Sequence, residues 1–106
     1  MSSLDQILIQ AIDAIEENCT VFYQQKNDMG YKLLDQVIGL LTLVIEALYQ
    51  LKSQGTDIGI QENELMLKLS EAMDALQAKD SILLADIMKF EILDLLYRVR
   101  KSLRNN

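Results

Sequence analysis

Three pairs of carboxylates stand at three-residue spacing: Asp13 with Glu16, Glu71 with Asp74, and Glu91 with Asp94. On a helix that spacing puts both acids on one face, the arrangement used by carboxylate di-metal sites in helical bundles. Those sites also need Glu-x-x-His pairs, and the chain has no histidine. The ligand set cannot be completed, so no metal and no other cofactor is expected. The first two pairs also fall away from the apolar faces of their segments, where solvated surface charge suffices as an explanation. Cys19 is the only cysteine. A reactive thiolate needs a base or a positive environment, and the residues around Cys19 are acidic, so an inert core thiol is expected. No Gly-rich phosphate loop, CxxC, G-x-S-x-G or HExxH is present. The chain is therefore expected not to be an enzyme.

Glu91 is the least bland of the acids. It flanks an apolar face made by Leu84, Ile87 and Leu95, where a carboxylate would be partly desolvated. It is either a boundary residue reaching water or a lysine, or a polar contact in a groove. Asp94 and Arg98 have the four-residue spacing of a surface ion pair.

These groups need elements to hold them. Proline is absent and glycine is scarce, and Leu, Ala, Glu, Gln, Lys and Met dominate. That composition favours helix throughout. Four amphipathic segments are expected, over about 4–26, 29–53, 60–78 and 81–103. Ser3 with Gln6 has the spacing of a capping box. Helix one presents Leu4, Leu8, Ala11, Ile15, Cys19 and Phe22. Asn18 lies within that apolar face, where it either fixes helix register or sits at the bundle edge. Asn27 and Asp28 mark the first turn, with Asp28 as a candidate cap. The loop SQGTDIGIQ, residues 53–61, follows helix two, and Asp80 or Ser81 caps helix four. Helix four presents Leu84, Met88, Ile92, Leu95 and Val99, flanked by Leu83, Ile87 and Leu96. Short connections make the fold all-α, an antiparallel up-down-up-down four-helix bundle in a single domain over 1–106.

Helix two is the odd member. Lys32, Asp35, Gly39, Thr42, Glu46 and Ser53 fill one narrow polar wedge, and apolar residues cover half or more of the circumference. A surface helix needs an apolar stripe of little over 100°. Helix two must then meet at least two neighbours, and offers surplus surface besides. The uncharged run between Asp35 and Glu46 is ten residues long, against the roughly twenty of a bilayer span. It is read as a core helix rather than a membrane helix.

The net charge is −6, but residues 1–97 hold sixteen acids against six lysines, a local charge of −10. Such a body repels phosphate backbones, so nucleic acid is not an expected partner. Arg98, Arg100, Lys101 and Arg104 crowd the last turns. There they complement a helix dipole or form a local docking patch for an acidic partner. One unpaired thiol and an N-terminus MSSLDQ without a signal-peptide pattern suggest the cytoplasm.

The run ENELMLKLSEAMDALQAKDSILLADIMKFEILDLL, from Glu62 to Leu96, resembles an uncharacterised family of small helical proteins of Gram-positive bacteria. In those proteins "EAL…KD…LLADxLxxEL" recurs. The matching positions are Glu71, Ala72, Lys79, Asp80, Leu83, Leu84, Ala85, Asp86, Glu91 and Leu93. Ala72-Met73 and Glu91-Ile92 depart from the phrase. The resemblance covers about a third of the chain; it implies a bacterial cytosolic helical protein and names no activity. The architecture is also similar to that of the export chaperones of flagellar proteins, small acidic bundles that mask an apolar client segment.

Together these features lead to an expected protein-protein interaction module, a chaperone or adaptor for an apolar helical segment of a bacterial client. The candidate partner-binding residues are Leu33, Val37, Leu40, Val44, Leu48 and Leu51 on helix two, an adaptable methionine set of Met66, Met73 and Met88, and Glu91. The methionines could equally be core filler. Self-association through helix two, as a homodimer, is the second use of the same surface. The alternative is a self-contained structural or immunity-type bundle.

Overall fold

The computed structural model describes residues 3–61 and 63–105. Three helices, α1 (Ser3–Tyr23), α2 (Asn27–Ser53) and α3 (Glu64–Gln77), precede a fourth rod. That rod is α4 (Ser81–Ile87), a π-helical segment (Met88–Ile92) and α5 (Leu93–Arg104) in unbroken succession. The chain is the expected all-α four-helix bundle. α1 is the hub, with α2 on one side and the fourth rod on the other, while α3 packs on the fourth rod. Cross-links fix the antiparallel order. Asp5 pairs with Arg100, and the Tyr23 hydroxyl donates to Asp86. Lys68 pairs with Glu91, and Glu64 with Arg98.

The rods end where the backbone turns left-handed. Gln25 (φ 62°) and Lys79 (φ 57°) follow α1 and α3. Each closes its helix with two reciprocal bonds: Gln25 N–H to Phe22 O and Lys26 N–H to Val21 O, then Lys79 N–H to Leu76 O and Asp80 N–H to Ala75 O. This is the Schellman arrangement, and glycine normally takes the left-handed position. A side chain there costs about 1 kcal/mol. Gln25→Gly and Lys79→Gly are each expected to stabilise the chain by about 0.5–1 kcal/mol, net of glycine's greater entropy loss. Urea unfolding midpoints check this, and an unchanged or lower midpoint for both would refute it. Asp80 caps α4 as expected, its carboxylate accepting from the Leu83 N–H at 3.0 Å. Asp28 does not cap α2: the helix begins one residue before it, and no side-chain cap is made. The Ser3–Gln6 capping pair rests on the Ser3 side chain, which lies outside the described residues.

Two further expectations need correction. α3 starts at Glu64, not near 60. Gly59 turns left-handed (φ 82°), and the Glu64 carboxylate accepts from the Gln61 N–H at 2.7 Å, which fixes a new start downstream. In the fourth rod Leu83 is exposed and Leu96 fully buried, whereas both were expected to flank the core. Leu83 sits about 100° round the helix from the buried Leu84, and the π-helical segment accounts for Leu96. Leu84, Met88, Ile92 and Leu96 form one buried row at four-residue steps. An unbroken α-helix would swing such a row by about 40° per step. One wide turn takes up the drift and holds all four against α1 and α3.

α1 and α2 approach closely at their shared turn. A Cβ on Gly30 would stand 2.6 Å from Cδ1 of the Phe22 ring, which is itself fully buried. Phe22 meets Tyr31 edge-on with centroids 5.2 Å apart. Asn18, buried in the same hairpin, donates from Nδ2 to Gly30 O at 2.8 Å. Its place is therefore inside the bundle, tying α1 to α2, and not at the edge.

A candidate binding cleft between α2 and α3

Between α2 and α3 runs a groove of uneven width. Toward the start of α2 it is a closed seam of about 10 Å³ lined by Leu34, Val37, Ile38, Leu41, Leu69 and Met73, with Met88 and Ile92 beneath. Toward the end of α2 it opens into a cleft of about 290 Å³. Ile45, Leu48, Tyr49 and Lys52 form one wall, Leu65, Met66 and Asn63 the other, and Ile58 and Ile60 of the loop the floor. The lips are apolar and exposed: Tyr49 shows 67% of its surface and Met66 53%.

The loop is what props the cleft open. Ile58 and Ile60 are buried, while Gly59 between them lies against α5. Ser102 Oγ donates to Asp57 O at 3.0 Å, and the Gly59 N–H donates to Asp57 Oδ1 at 3.0 Å. The Arg98 guanidinium reaches both carboxylate oxygens of Glu64, at 3.2 and 3.3 Å. The Gln61 N–H first, and Arg98 with it, hold the Glu64 carboxyl below its ordinary range. A depressed carboxyl stabilises the fold above its unfolded pKa and loses that contribution as acid protonates it. The latch is thus intact at neutral pH and weakened in acid.

The structure places the expected partner-binding residues apart from one another. Val37, Val44, Leu48 and Met88 are buried by the chain's own helices. They are core residues: α1 packs along α2, and Met88 belongs to the fourth rod beneath the seam; of these only Leu48 also reaches the cleft wall. Leu33, Leu40 and Leu51 are half-buried on the edge of α2 turned away from the cleft, and Met73 is half-buried in the closed seam. Of the three candidate methionines Met66 alone reaches the open lip. Glu91 lies outside the cleft and is the boundary residue, bound to Lys68 at 2.6 Å. Ile45, Lys52, Ile58, Ile60, Asn63 and Leu65 were not anticipated as partner-binding residues. The signal for the floor was Ile58-Gly59-Ile60, two β-branched apolar residues in a loop whose other residues are polar.

The remaining chemistry is structural. Cys19 is buried, with Sγ donating to Ala85 O at 3.5 Å, and burial pushes its thiol up to about 11. Thiol-specific labelling at mildly alkaline pH is expected to proceed only as fast as the chain unfolds; rapid stoichiometric labelling of the native chain would contradict that. Among the described residues no group of three or more Cys, Asp or Glu is placed to hold a metal ion. Asp13 and Glu16 are exposed. Arg98 also meets Asp94, at 3.6 Å, and Arg100 meets Asp5 at 2.9 Å, so half of the basic cluster is engaged within the chain.

The membrane reading of α2 also needs restating. Among the described residues Asn27–Ser53 is the one helix long and apolar enough to cross a membrane by length and composition. The ten-residue uncharged run understated it, because a spanning window tolerates Asp35 and Glu46. A core helix meets the same criterion, and α2 lays Leu34, Val37, Leu41, Val44 and Leu48 into the bundle. Of its large apolar residues Met29, Leu43 and Tyr49 stay exposed, and Leu33, Ile38, Leu40, Ile45 and Leu51 are half-buried.

Fold and groove together define a small all-α bundle with an apolar cleft at one end. The chain belongs to the family described as a domain of unknown function (DUF8042), which matches residues 1–102. No curated protein and no solved structure matches it.

Proposed function

We propose that this protein is a non-enzymatic interaction module whose cleft between α2 and α3 holds an apolar helical segment of a protein client, as a chaperone or adaptor in a bacterial cytoplasm. The supporting observation is the cleft itself: an apolar opening of about 290 Å³ with Tyr49 and Met66 exposed at its lips. A groove between two helices takes a third amphipathic helix by its apolar anchors. The volume is about twice the roughly 150 Å³ that admits one benzene-sized group, so it suits two large side chains. A single buried thiol is compatible with a reducing compartment.

Selection from a displayed library of amphipathic helical peptides tests this. Binders retained by the native chain and lost on Met66→Glu are expected. Light scattering of the chain alone supplies the second check: a dimer that Met66→Glu dissociates would assign the cleft to a second copy instead of a client. The self-contained bundle is favoured by the internal covering of Val37 and Val44. A monomer that selects no cleft-dependent peptide would establish that alternative.

A further inference from the structure

Among the described residues Lys52 is the only charged side chain lining the cleft, and it has no ion-pair partner. The body around it is acidic, and a lysine such as Lys68 is drawn into pairs with Glu91 and Glu71. Lys52 instead stands in the last turn of α2, one turn beyond Leu48 and beside the Tyr49 lip. The opposite wall carries Asn63, a neutral hydrogen-bonding group. A ligand seated in this cleft therefore meets oil in the middle and one positive charge at the end. An exposed lip on each helix favours an extended partner surface over a small molecule that would be enclosed.

We propose that the occupant is an amphipathic helix of a partner protein with two large apolar side chains at three- or four-residue spacing and a carboxylate about one turn beyond them, directed to Lys52. This rests on the interaction reading above and adds the charge rule. A basic amphipathic helix, the kind an acidic body would attract at long range, is disfavoured in the cleft by Lys52 at close range.

The test is the composition of the selected peptides, with Lys52→Glu and Lys52→Gln chains as counter-screens. Lys52 is exposed, and Lys52→Gln removes the charge without placing an acid at a helix C-terminus. Expected is enrichment of Asp or Glu one turn from the apolar pair. Affinity for the enriched peptides falls about two- to fivefold in Lys52→Gln, the range of one exposed pair, and further in Lys52→Glu. A Glu-to-Lys change in the peptide reverses the order of the chains. Peptides that need Met66 but show no acidic bias, and bind all three chains equally, overturn the charge rule and leave the interaction reading standing. A pool that binds Met66→Glu as well as the native chain overturns both.

Discussion

Gly59→Ala is expected to destabilise the chain by about 2–4 kcal/mol and to abolish peptide capture by the cleft. Two independent terms contribute. Gly59 has φ 82°, and an alanine in the left-handed region costs about 1–2 kcal/mol. A Cβ there would also stand 2.6 Å from Ser102 Cβ and 2.8 Å from Arg98 O. Overpacking of that kind costs about 1–3 kcal/mol. Ser102→Gly would remove the first of these contacts but not the second, which is α5 backbone. The double change should therefore recover only a small part of the loss. The loop must lift from α5, and Ile58 and Ile60 leave the cleft floor with it. Gly39 supplies the control: a Cβ there meets nothing within 4 Å, and its backbone is helical. Gly39→Ala should raise stability by about 0.5–1 kcal/mol with capture unchanged. Equal denaturation midpoints for Gly59→Ala and the native chain would show that the loop is not latched.

Helical periodicity carries most of this fold because it is local. Residues four apart share a face whatever surrounds them, so the apolar rows of α1 and α2 were legible before any contact was known. What was not legible depends on partners distant in sequence. Gly59 reads as a flexible loop residue until Ser102, far along the chain, is seen against it. The π-helical turn answers a demand from α1 and α3, although the unbroken row Leu84, Met88, Ile92 and Leu96 hinted at it. The width of the α2 arc was read correctly, but not which part of it stays open. Arc width says how much surface needs covering. It takes the loop's Ile58 and Ile60 and the start of α3 to make Leu48 and Tyr49 border a cleft while Val37 and Val44 do not.

Gly30→Ala probes the other close approach, where α1 meets α2. The expected loss is about 1–3 kcal/mol, since the added methyl overlaps a Phe22 ring with no free volume to enter. The backbone of Gly30 is helical, so strain in φ contributes nothing and the whole effect is steric. That makes it separable. Phe22→Leu alone removes ring atoms from a fully buried site and the edge contact with Tyr31, a loss of about 1–3 kcal/mol. In the double variant the alanine methyl occupies space the ring has left. The two losses should then fall short of additivity by about 1 kcal/mol or more, the signature of residues in direct contact. Asn18 makes the outcome sharper: its bond to Gly30 O holds the two helices at fixed spacing, so α2 cannot slide away to relieve the overlap without breaking it. Strict additivity, or a Gly30→Ala chain as stable as the native one, would mean that the helices separate freely at this turn. The α1–α2 hairpin would then not be the rigid wall against which the cleft is built.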